Sequence, residues 1–346
     1  MRRFIPVLAA GIATLAFIGL AQEGPAGGPY KVLKTAKVGG AGGFDYVNAD
    51  QAGRRLYIAR SGAGARITVF NLDTLEPVGE IANVSAHGAV VSPKTNHGFA
   101  SSKPVVMFDS KTLATIKTID VDGGPDGLFY DSFNDRVYVL SHRSPNATVI
   151  NAADGSVAGT LDLGGAPEQA ARDGQGHLYI DIEDKANIAV VDASTLAVTA
   201  HYDLEGKGGE CAGLAMDAKN GILFAACRNP QNMVILNAAD GKIITVLPIG
   251  AGTDGAVFNP STMEAFSSQR DGTLTVIKEN SPKSFAVEQN VQTMPSAKTM
   301  TLDAKTNHLL LIAAEFGPPP ASPPAGGRPN RGPMVPDSFS ILVVGK

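Results

Sequence analysis

The chain has no tryptophan, and only two of its 346 residues are cysteine. Lack of Trp rules out recognition through Trp-built aromatic cages, and lack of a Cys-x-x-Cys-His run rules out c-type haem attachment. No basic stretch occurs and the formal charge is −4, so the electrostatic footprint of a nucleic-acid binder is missing. Helical periodicity is absent beyond the first segment of the chain. Glycine and proline are plentiful, at 39 and 22 residues, which suits a chain of many turns. A chain this long can build a large core without help from disulfides or metals, and single all-β domains often exceed about 200 residues.

One hydrophobic run stands apart. Arg2 and Arg3 precede an almost wholly apolar stretch from Phe4 to Leu20, and Gly19-Leu20-Ala21 supplies small residues for cleavage before Gln22. That order reads as a secretory signal peptide over residues 1–21. A retained membrane anchor is the alternative, disfavoured by Pro6, Gly11 and Gly19, which weaken a permanent helix. No cysteine follows the run to carry a lipid. Cleavage leaves 27 basic against 33 acidic residues, a charge of −6. The expected product is periplasmic or secreted, with no membrane anchor and no nucleic-acid partner, and monomeric.

Residues 22–346 read as one repeating domain. Short apolar runs end at Asp50, Ser92, Asp131, Asp173, Asp217, Asn259 and Asp303, spaced by 42, 39, 42, 44, 42 and 44 residues. Tyr57, Phe99, Tyr138, Tyr179, Phe224, Phe266 and Leu310 follow these anchors at an offset of seven, or six in the fourth repeat. Each repeat carries four strand-like runs separated by turn chemistry such as Asp154-Gly155 and Asp240-Gly241. Four strands every 40–45 residues is the period of a propeller blade. The seventh copy stops after its third strand, and the missing fourth stands at the other end, at Tyr30–Val38. The fold class is therefore all-β: a seven-bladed β-propeller of four-stranded antiparallel blades, its last blade completed by the N-terminal strand.

The runs LYIAR, VYVLS and LYIDI, each followed by V-x-N/D-x-x-T/D and a fourth strand ending near Gly, resemble the YVTN (YncE-like) β-propeller repeat family over residues 30–346. The resemblance implies an exported seven-bladed propeller and carries no catalytic residue over to this chain.

The first strand of each blade lines the central channel, and the position five residues before each anchor lies at its mouth. These positions hold Asp45, His87, Asp126, Glu168, Ala212, Asp254 and Lys298, and Glu210 stands near enough to substitute for Ala212. In one reading the ring is structural, its carboxylates held by backbone N–H groups and water. In the other it holds a cation or polar ligand, because converging carboxylates raise one another's pKa unless a cation or Lys298 relieves them. The second strand returns to the same face with Arg60, His142, Arg143, Glu183, Arg228, Arg270 and Glu315. Its four Arg serve as salt-bridge partners of the acidic ring or as an anion-binding rim. His87 and His142 offer zinc ligation or general-base chemistry, although no H-E-x-x-H spacing exists.

Gly317–Pro336 (GPPPASPPAGGRPNRGPMVP) is inserted between the second and third strands of blade seven, on the mouth side. Long structureless loops in compact domains are usually functional or disordered, and Arg328 and Arg331 bring positive charge. Cys211 and Cys227 bound the first hairpin of blade five, so an exported chain is expected to join them in a disulfide.

Two functions follow. The first is a binding or interaction scaffold for a protein or small polar ligand at the channel mouth, with no cofactor other than a divalent cation. The alternative is a metal-dependent hydrolase of lactonase type, with Asp45, Asp126, Glu168 and Asp254 as oxygen ligands. Quinone-dependent dehydrogenation is disfavoured by the absence of Trp and of vicinal Cys.

Overall fold

The anchors that repeat along the sequence are turn residues. Oδ1 of Asp50 accepts from the N–H groups of Ala52 and Gly53, and Asp217, Asn259 and Asp303 accept in the same way from Lys219, Ser261 and Lys305. An acidic or amide side chain at that position mimics a backbone turn and reverses the chain between the first two strands of six blades, and in blade two the hydroxyl of Ser92 takes its place, accepting from the Thr95 N–H at 3.4 Å. A second reversal joins the third and fourth strands. In blade three, Gly155 takes φ +68°, a backbone angle that suits glycine, and its N–H bonds the carbonyl of Asn151 at 2.8 Å.

A computed structural model describes residues 27–144, 146–319 and 332–346. Twenty-eight strands, β1 to β28 in chain order, form seven four-stranded antiparallel sheets among the described residues. Six sheets are consecutive meanders, from β2–β5 to β22–β25. The seventh has the order β1-β28-β27-β26, so β1 (Lys31–Lys37) pairs with β28 (Ser340–Gly345) and closes the ring. The expected architecture and its closing strand are both present. The signal-peptide reading falls on residues outside those described.

The core is divided among the blade interfaces. Seven apolar clusters each straddle two neighbouring blades, and the one between blades seven and one joins Leu56, Ile58, Leu310, Ile312, Phe339 and Ile341. All six of these side chains are at most 2% exposed, and full burial of such a side chain contributes roughly 1.5–3 kcal/mol. Radial packing of this kind turns the first strand of every blade toward the common axis. These inner strands are β2 (Gly43–Asp50), β6 (Ala89–Val91), β10 (Pro125–Asp131), β14 (Pro167–Arg172), β18 (Cys211–Asp217), β22 (Thr253–Asn259) and β26 (Thr299–Asp303).

Candidate functional site

β-Bulges aim the residues of the mouth ring. In β2 the ladder runs from Phe44↔Arg60 to Val47↔Ile58, leaving Asp45 and Tyr46 opposite the single residue Ala59. The same irregularity sets out Asp126 and Gly127 in β10, Glu168 and Gln169 in β14, Ala212 in β18 and Asp254 in β22. A bulge leaves its extra residue outside the ladder and re-aims its side chain. His87 and Lys298 reach the ring from just before β6 and β26.

The ring alternates in charge. His87 Nδ1 lies 2.8 Å from Asp45 Oδ2 and 3.2 Å from Asp126 Oδ1. His142 Nε2 lies 3.3 Å from Asp126 Oδ2 and 3.4 Å from Glu168 Oε1. On the other arc, Lys298 Nζ donates to Asp45 Oδ1 at 3.2 Å and to Asp254, while Arg228 donates to Asp254 and to Glu183. Asp126 is thus shared by two imidazoles and Asp254 by two permanent cations. Burial differs between the arcs: the side chains of His87 and His142 are 52% and 40% exposed, that of Lys298 only 14%.

These contacts set the protonation pattern. The bond to Asp45 raises the pKa of His87, against the effect of burial, and the bond to Glu168 lifts that of His142 to about 9. Burial raises the carboxyl of Asp126, with Asp45 and Asp254 adding repulsion, and burial likewise raises Glu168. Asp45 feels the same burial penalty, but His87 and Lys298 outweigh it and its pKa falls. Burial works against the charge of Lys298 as well, and Asp254 and Asp45 more than restore it.

Two residues absent from the sequence-derived set form the floor of the ring. The Tyr46 hydroxyl donates to Glu168 Oε2 at 3.3 Å, linking blade one to blade four. Oε1 of Gln169 accepts from the N–H groups of Leu214 (2.9 Å) and Ala256 (3.0 Å), tying blade four to blades five and six. Gly88 and Gly127 leave room for Tyr46: a Cβ there would lie 3.1 Å from Tyr46 Cβ and 3.4 Å from its hydroxyl. The signal was present in the sequence. At four residues before each anchor the chain reads Tyr46, Gly88, Gly127, Gln169, Gly213, Gly255 and Thr299, two large polar groups among small ones.

Other residues assigned to the mouth from sequence lie outside this network of ion pairs. Arg60 is 1% exposed, donates to the carbonyls of Gly39, Gly40, Ala41, Gly42 and Gly43, and stacks on Phe339 at 3.7 Å. All three of its guanidinium nitrogens donate to the Gly-rich connection that follows β1, and it takes no part in the ring's ion pairs. Arg143 and Arg270 are exposed and take no part in the ring's ion pairs, and Glu210 is exposed as well. The fifth blade contributes its charge through Arg228 instead, and Glu183 of blade four joins the ring as its partner. Glu315 lies 3.7 Å from Lys37. Asp254 is engaged by Lys298 and Arg228 and belongs to neither cluster of metal-ligand atoms found among the described residues. Of the blade-seven insertion, the base is described: Gly317 N–H bonds Pro333 O at 2.9 Å and Val335 N–H bonds Glu315 O at 2.8 Å. Residues 320–331, with Arg328 and Arg331, lie outside the described residues. Cys211 and Cys227 face each other across β18 and β19 (Ile222–Arg228) and are joined by a disulfide.

No family model matches the chain, and no curated protein matches it. Among solved structures it is similar to a chain of a mitotic checkpoint complex, at 12% identity and TM-score 0.69 over 90% of this chain and 95% of that one. It is also similar to the WD40 repeats of RRP9 (11%, TM-score 0.69, 93% and 99%) and to U3-55K (10%, TM-score 0.68, 92% and 99%). At these identities the likeness is one of fold, the propeller.

Proposed function

We propose that this chain is an exported binding protein that holds a divalent cation on the Asp45–His87–Asp126–His142–Glu168 arc of the channel mouth and presents it there to a partner. One observation carries the reading. Asp45, His87 and Asp126, and again Asp126, His142 and Glu168, each offer three ligand atoms that lie within 4.8 Å of one another, and the two sets share Asp126. Mixed imidazole and carboxylate donors suit zinc-class ions better than calcium. Among the described residues Lys298 touches this arc only at its end, on Asp45, no Lys or Arg ion pair involves Asp126 or Glu168, and both imidazoles are solvent-accessible. The signal-like N-terminus and the disulfide support export. The propeller fold, which one structural neighbour uses within a multi-protein complex, supports a scaffold.

Isothermal titration of chelator-treated protein with Zn²⁺, Mn²⁺ and Ca²⁺ tests the reading. Saturable binding, tightest for Zn²⁺ and weakened at least tenfold by His87→Ala or Asp126→Asn, is expected, with Arg143→Ala unchanged. Absence of binding, or binding indifferent to both ring substitutions, overturns it. A lactone and ester panel run on the zinc-loaded protein separates binding from hydrolysis.

A further inference from the structure

Below the ring the channel changes character. Three residues before each anchor the inner strands place Val47, Ala89, Leu128, Ala170, Leu214, Ala256 and Met300, all apolar. One residue before each anchor they place Ala49, Val91, Tyr130, Arg172, Met216, Phe258 and Leu302: a single charged group in an otherwise uncharged, mostly apolar layer. These layers line a cavity of about 690 Å³ that runs from Tyr46, Glu168 and Gln169 to the turns at Gln51, Pro93 and Ser132 on the opposite face. The volume falls within the ~300–1,000 Å³ typical of small-molecule sites; apolar side chains wall its middle, with Asn48, Thr301 and Arg172 among them, and polar groups such as Glu168, Gln169, Gln51 and Ser132 stand at its ends.

Arg172 is exposed into this space and has no ion pair within 4.0 Å among the described residues. Its neighbouring acid, Asp131, is 1% exposed, and burial pushes that carboxyl toward its neutral form. Glu168 at the ceiling is occupied by His142 and Tyr46. At the lower mouth Asp50 caps its own turn, Asp173 is held by His177, and Lys94 reaches the carbonyl of Ser132. A guanidinium facing a cavity with no carboxylate in ion-pair reach keeps its donors available to an incoming anion.

We propose that the lower channel is a second binding site, for an amphipathic organic anion whose carboxylate or phosphate engages Arg172 and whose apolar body lies against Leu128, Met216, Phe258, Met300 and Leu302. A planar guanidinium matches either headgroup in a bidentate geometry. The site lies below the cation arc, with Tyr46 and Gln169 between them and Glu168 common to both.

Titration calorimetry with decanoate, decyl phosphate, decan-1-ol and decyltrimethylammonium tests the proposal on the full chain. One saturable site is expected for decanoate or decyl phosphate, at least tenfold tighter than for the alcohol and absent for the ammonium, and the better of the two anions identifies the headgroup. Arg172→Leu, which matches the rest of its layer, should weaken anion binding at least tenfold, and Arg172→Lys should retain most of it. No saturable binding, equal affinity for alcohol and anion, or unchanged affinity in Arg172→Leu overturns the proposal. Should Arg172→Leu fail to fold, the headgroup selectivity of the parent decides alone.

Discussion

Asp181, fully buried in the second strand of blade four, shows what a single carboxyl costs in this fold. Its Oδ1 accepts the Gln169 N–H at 2.5 Å, and its Oδ2 has no hydrogen-bond partner among the described residues. Burial, reinforced by the charges of Glu168 and Glu183, pushes its pKa well above the ordinary carboxyl range, with Arg228 only partly opposing. A folded pKa above the unfolded one means the native state retains a proton that the unfolded chain releases. Its contribution is therefore fully present below about pH 4 and is lost as pH rises through the folded pKa. Asp181→Asn keeps the acceptor for Gln169 and removes the titration. Thermal unfolding followed by circular dichroism should show the variant gaining on the parent from about pH 4 upward, by a few degrees at pH 8, since about 1 kcal/mol moves Tm by ~2–4 °C in a large domain. A gap that does not change with pH would assign the effect to packing instead.

At the scale of elements, the strands were legible in the sequence and their bulges were not. Turn-forming Asp, Asn or Ser side chains recur once per blade, so the anchors and aromatic offsets gave blade count, strand order and the closing strand. The two-against-one pairing that aims Asp45, Asp126, Glu168 and Asp254 leaves no mark on a one-dimensional pattern. Position counting named these residues without showing which would meet. It did not foresee the partners of Arg60, because the five carbonyls that hold that side chain belong to residues 39–43, nearly twenty positions upstream. The Cys211–Cys227 pairing was legible, because both cysteines belong to one hairpin with a short turn. Closing a loop of this size is worth about 3 kcal/mol in the chain-entropy account. The double variant Cys211→Ala/Cys227→Ala should lose about that much in urea unfolding, and reductant should bring the parent down toward it. Two free thiols found by mass after alkylation without reductant would contradict the pairing.

For the whole molecule, closure determines whether blade seven is a finished sheet or an exposed edge. β1 pairs with β28 from Lys31↔Gly345 to Lys37↔Ser340, and the chain just before it adds Tyr30, whose hydroxyl donates to Glu264 and whose ring packs on Phe266 at 5.3 Å. Gln289 holds the Tyr30 backbone from both sides, accepting its N–H at 3.0 Å and donating to its carbonyl at 2.8 Å. The first strand therefore fastens blade six to blade seven as well as completing its own sheet. Without it, β28 would present an unpaired edge whose side chains Ile341, Leu342 and Val344 are at most 2% exposed in the closed ring, the kind of edge that recruits strands from other chains. Removing residues 30–38 should lower the melting temperature and produce concentration-dependent association, read by calorimetry and by light scattering after size-exclusion chromatography. Capping the edge by adding a peptide of sequence YKVLKTAKV in excess should reverse both effects, since the lost pairing is intermolecularly replaceable. A truncated chain that stays monomeric with an unchanged melting temperature would mean that the inter-blade clusters alone hold the ring shut.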